Sequence, residues 1–177
     1  MDTEDTMRDA ALLGARLLLG SYMGIHASQK LFGMFHGPGL DGIGQVFEKN
    51  GLTPGREMAM AAAATEIAGG VLTVTGFADP AGPLAVAGAM SVAAAHNREG
   101  GLMAARNGVE LPVAYATLAL TLAATGPGKY KIGPALPGRL AALAALAGGV
   151  AAGALIAKMV TGKPAPVDPA RVDAVEE

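Results

Sequence analysis

Glu66 lies near the middle of a twenty-residue run, Met58 to Phe77 (MAMAAAATEIAGGVLTVTGF), that carries no other charge. As a helix, a run of that length covers the roughly 30 Å hydrocarbon core of a bilayer. A carboxylate at its centre costs about 2.5 to 3.5 kcal/mol on insertion, so such residues turn into a bundle and find a partner there. The run therefore predicts a spanning helix with a donor group opposite Glu66 on a neighbour.

Composition supports the same solvent. The chain is 51% hydrophobic and only 16% charged, with a mean hydropathy of +0.39, and its apolar residues form blocks separated by Gly, Pro and charge. Its 26 glycines and many alanines, against 4% aromatics, suit helices that approach through small residues and not a large-residue soluble core. A net charge of -2 without any basic block excludes nucleic acid as a partner. With Cys 0, disulfide, thiolate and iron–sulfur chemistry are excluded, so electron transfer would need a bound cofactor or another protein.

Along the chain, residues 1–9 form a short acidic segment without the basic start or cleavage site of a secretory signal, and we expect it to be retained. A first helix is expected from about Asp9 to Phe35, with Gly20 and Gly24 spaced for helix contact. His36 to Gly55 reads as a loop holding a short interfacial helix at Ile43 to Phe47. The Glu66 helix follows, then a tight turn at Ala78 to Ala81, a third helix at about Gly82 to Asn97, and a fourth at about Val109 to Thr125. Gly126, Pro127 and Gly128 stop that helix and leave Lys129, Tyr130 and Lys131 at headgroups. Residues 135–160 hold a fifth span, whose Gly149 and Gly153 are spaced for helix contact, and 161–177 form a Pro-rich, charged tail expected to be disordered. The fold class is all-α: an integral membrane four-helix bundle with an additional fifth transmembrane helix.

The third and fourth apolar runs are short, about 21 Å against a core of about 30 Å, so each must draw its polar end inward. Those ends carry His96 and Asn97 on one helix and Glu110 on the other, and the connecting loop puts them on one side of the membrane. The first helix delivers His26 and Lys30 toward that side. Chain direction thus gathers His26, Lys30, His96 and Glu110 in one leaflet, with Glu66 below them, as a candidate polar cluster. Two roles fit Lys30: snorkelling to the interface, or pairing with Glu66 or Glu110. Arg16 reads as an interfacial anchor and His36 as a solvated loop residue. His26 and His96 invite comparison with bis-histidine haem ligands, but nothing in the sequence sets their depths equal. No covalently bound cofactor and no metal are expected.

Several segments, taken in order, resemble the DoxX family of small bacterial inner-membrane proteins. They are GIHASQKLFGMF, GPGLDG, NGLTP, TEIAGGVLTVTGF, AAAHNREGG, VELP and GPGKY, and the likeness covers residues 10–134. It implies a four-helix membrane domain and a redox-linked role within an assembly. Relatives in that family include the small subunit of a thiosulfate:quinone oxidoreductase and a methylamine-utilisation maturation protein. It also marks His26, Lys30, Glu66, His96 and Glu110 as family-like polar sites.

Sidedness is read in two ways. Loops on the cluster side, with the tail, hold Lys49, Arg56, Arg98, Arg106, Lys158, Lys163 and Arg171, against Arg8, Lys129, Lys131 and Arg139 on the other. The positive-inside rule then favours a cytoplasmic cluster, whereas the resemblance implies the reverse. The function expected first is an accessory or quinone-associated subunit of a bacterial membrane redox or respiratory complex, not catalytic alone, with the lipid bilayer and other membrane subunits as partners. The alternatives are a structural or assembly protein without a redox role, and a proton or small-solute carrier.

Overall fold

The computed structural model describes residues 3–161. The chain is all-helical, with no strand among the described residues: α1 (Thr3–Phe32), α2 (Gly39–Lys49), α3 (Gly55–Thr75), α4 (Ala81–Asn97), α5 (Glu110–Thr125) and α6 (Gly138–Thr161). By length and composition, α1, α3 and the Gly138–Lys158 part of α6 are sufficient to cross a membrane. The shorter α4 and α5 have 17 and 16 residues. Leu17, Leu18, Ile25, Ile67, Val71, Val113, Leu120, Leu143 and Leu146 face outward, an apolar exterior that water would not tolerate over so many residues.

The first helix begins earlier and ends earlier than its apolar residues suggest. Glu4 and Asp5 occupy its first turn, where the helix dipole favours acids, so residues 3–9 continue α1 instead of preceding it. Gly33 ends it, at φ 66° in the left-handed region that glycine enters without penalty. The tail 162–177 lies outside the described residues.

α1 and α3 run antiparallel and touch through glycine. A Cβ on Gly20 would lie 3.0 Å from the Gly70 carbonyl and overlap Val74, whereas one on Gly24 would meet nothing within 4 Å. The contact therefore uses Gly20 with Gly70 across two helices, not Gly20 with Gly24 along one. Gly149 and Gly153 of α6 are likewise open, and the described part of α6 buries none of its residues. Beside this contact, Leu19 and Met23 of α1 pack with Val86, Ala87 and Met90 of α4 and Ala119 and Leu122 of α5, forming the core.

The region between α1 and α3 is more ordered than its glycines suggest. α2 spans eleven residues and packs on α3 and α1, beyond the short interfacial helix expected at Ile43 to Phe47. Gly44 permits this: a Cβ there would sit 3.2 Å from the Arg56 backbone. The opposite end is sealed by the segment after α5. Ile132 N–H donates to Thr75 O at 2.8 Å, Ala78 N–H to Pro134 O at 2.9 Å, and Leu136 N–H to Asp79 O at 2.8 Å. Chain that carries no helix of its own thus satisfies main-chain groups at the α3–α4 turn.

Candidate functional site

Lys30 stands in the last turn of α1, and its ammonium takes both carboxylate oxygens of Glu66, at 2.6 and 2.8 Å. Glu66 is 3% exposed and Lys30 18%. The lysine stem runs back along α1, so its head meets the acid below it without leaving the protein. Charge-assisted bonds to both oxygens leave Glu66 compensated in a low-dielectric setting.

This ion pair borders a partly open cavity of about 810 Å³, within the range of small-molecule sites. Its walls are mostly apolar and come from α2 (Ile43, Val46, Phe47), α3, α4, α5 and the small residues of α6. His26, Gln29, Lys30, Glu66, His96 and Tyr115 supply polar groups to the lining. His26 meets Tyr115 edge-on, with ring centroids 5.7 Å apart, and Tyr115 in turn packs against Tyr22 at 5.1 Å. Tyr22 and His26 are one helical turn apart, so one face of α1 presents both rings to α5.

His96, at the end of α4, is held by a residue that the sequence did not single out. Asn50 follows the last turn of α2, and its Nδ2 lies 3.0 Å from His96 Nδ1. The geometry therefore brings His26, Lys30, Glu66 and His96 to one cavity. Glu110 lies apart from them: its Oε2 accepts from Ala104 N–H at 2.8 Å in an exposed position, where it caps the 98–109 loop. An acid in the first turn of a helix is favoured by the dipole without further role, which accounts for its place. Among the described residues, no group of three or more His, Cys, Asp or Glu is placed to hold a metal ion.

Arg16 is no interfacial anchor. It is 2% exposed, and its guanidinium donates to four main-chain carbonyls. Nε meets Thr73 O at 2.8 Å, Nη2 meets Val74 O at 2.5 Å, and Nη1 meets Pro127 O at 2.6 Å and Tyr130 O at 2.7 Å. Two of these belong to the last turn of α3, where carbonyls lack helical partners and the dipole favours a cation. The other two belong to the Gly-Pro-Gly-Lys-Tyr segment, whose backbone is thereby fastened to α1. The rule applied to Glu66 would have found this residue: a charge well inside an apolar helix needs a partner. Asp79 lies close by in the turn after α3 and is 7% exposed. Burial pushes its carboxyl above the usual range, against the opposing pull of Arg16 and then Lys131.

Among known proteins, the family model described as DoxX matches residues 11–97, the stretch that holds Arg16, His26, Lys30, Asn50, Glu66 and His96. No curated protein and no solved structure matches the chain.

Proposed function

From the premise that this chain belongs to the DoxX family of membrane proteins, we propose that it is an accessory, quinone-associated subunit of a membrane redox complex in the bacterial inner membrane. In this reading α1, α3, α4 and α5 form a four-helix bundle and α6 is a fifth transmembrane helix beside it.

The observation that carries the proposal is the cavity of about 810 Å³ whose apolar walls end in Lys30, Glu66, His26, His96 and Tyr115. A quinone needs that combination: an apolar space for ring and tail, reached from the membrane, and a few convergent groups for the carbonyl oxygens. The Lys30–Glu66 pair keeps the site electrically neutral, so a neutral ring is not opposed by an uncompensated charge. In this reading the chain supplies the pocket and a partner subunit the electrons.

A second reading is structural. Lys30 occupies both oxygens of Glu66, and an ion pair closed on itself serves equally to lock α1 against α3. Purification in mild detergent with native lipid, followed by quinone extraction, separates the two. The redox reading expects about one quinone per chain, lost in Lys30→Ala or Glu66→Gln; the structural reading expects no quinone and only a shift in thermal stability. Co-purification of an oxidoreductase would identify the partner.

A further inference from the structure

Asn50 reaches two acceptors with one atom. Its Nδ2 lies 2.7 Å from the Val46 carbonyl oxygen and 3.0 Å from His96 Nδ1. A carbonyl oxygen only accepts, so the amide atom facing Val46 is the nitrogen and not the oxygen. That nitrogen carries two hydrogens, one for each neighbour, and has no lone pair to accept with. His96 Nδ1 is therefore the acceptor, and a neutral imidazole in that situation carries its proton on Nε2. His96 lines the cavity. Its Nε2 has no hydrogen bond among the described residues and is not sealed from the surroundings.

We propose that Asn50 is a positioning residue that holds His96 as an Nε2–H donor to the cavity, so that the fitting occupant presents an accepting oxygen such as a ring carbonyl. The choice of occupant rests on the quinone reading above; the choice of tautomer does not. Other polar groups of the lining agree with it. Lys30 is a donor and Tyr115 carries a hydroxyl that can donate, while each oxygen of Glu66 already accepts from Lys30. A carbonyl oxygen is thus matched by several donors of the lining. Asn50 also ends α2, whose Ile43, Val46 and Phe47 line the same cavity, so the ring is set by the helix that covers it.

The test uses the full chain in lipid nanodiscs with its histidines labelled by ¹⁵N, in alkaline buffer that keeps the imidazole neutral, with His96 assigned through His96→Gln. The wild type should show a protonated Nε2 and a lone pair on Nδ1. Asn50→Asp places an acceptor-only carboxylate against Nδ1 and should move the proton there; Asn50→Ala should give a mixture of tautomers. Decylubiquinone should bind Asn50→Asp about tenfold more weakly than wild type, the loss of one donated bond in a dry site. A wild-type proton on Nδ1, or ring signals unmoved by both substitutions, overturns the proposal. A tautomer that switches without changing decylubiquinone affinity overturns the donor role. If the tautomer behaves as described and decylubiquinone binds no form of the protein, the quinone reading fails while the assignment of Asn50 to His96 is upheld.

Discussion

The guanidinium of Arg16 donates to the main-chain carbonyl of Pro127 at 2.6 Å, joining residues 111 positions apart in the chain. The same side chain holds the last turn of α3 through Thr73 and Val74. Only a planar fork with several fixed donors serves that many oxygens at once, which distinguishes arginine from lysine here.

Arg16→Ala should therefore lower stability by about 3 kcal/mol or more, because it strands buried carbonyls on two segments. Arg16→Lys should restore little, since one ammonium cannot reach both segments. Tyr130→Ala is the control. Its carbonyl is used but its side chain is exposed, so the change should stay within about 0.5 kcal/mol. Thermal unfolding in one detergent, compared across the three variants, checks the order.

Lys30 and Glu66 should show strong coupling. Glu66→Gln leaves an ammonium without its counter-charge and Lys30→Met leaves a buried carboxylate, each costing about 3 kcal/mol or more. The double variant should cost clearly less than the two singles added together, because neither charge then remains. Additive losses in a double-mutant cycle would mean that the two side chains do not act as a pair.

Glycines of the same helix should respond in opposite ways. Gly20→Ala drives a methyl into Val74 and the Gly70 carbonyl, so α1 and α3 must separate at a cost of about 1 to 3 kcal/mol. Gly24→Ala enters open space and should be neutral or gain up to about 1 kcal/mol from helix propensity. Melting temperatures of the two variants decide this directly.

Asp79 gives the fold an acid preference. Its folded pKa is raised by burial, so its contribution is fully favourable below the unfolded value of about 3.9 and is lost as pH rises through the higher folded value. Acidification from neutral pH should therefore stabilise the wild type through this group. Asp79→Asn should flatten that part of the profile and be relatively more stable at neutral pH. Unfolding midpoints measured against pH for both proteins provide the comparison.

The helices were legible in the sequence because apolar length is a one-dimensional property. The Met58–Phe77 run and the short third and fourth segments need no knowledge of neighbours to be seen. Lys30 and Glu66 were legible for a related reason: a charge in a spanning helix demands a partner, and chain direction narrows the choice. The same demand applied to Arg16, but a helix taken to begin at Asp9 places that residue near its mouth instead of well inside it. Its partners are also main-chain oxygens, which no residue type announces. Asn50 escaped notice because a polar residue after a short amphipathic helix ordinarily ends it and does nothing else. Only the packing of α2 onto α3 brings it to His96.

Arg16 and Lys30 fasten α1 to α3 at two heights, 14 residues or about 21 Å apart along the helix, with the Gly20–Gly70 contact between them. Two fixed points remove both sliding and hinging, so this pair moves as a single plank. Traffic into the cavity must then pass elsewhere. The side with the least to undo is the one bordered by Gly148, Ala151 and Ala152 of α6, a helix that packs on α4 and has no fully buried side chain among its described residues.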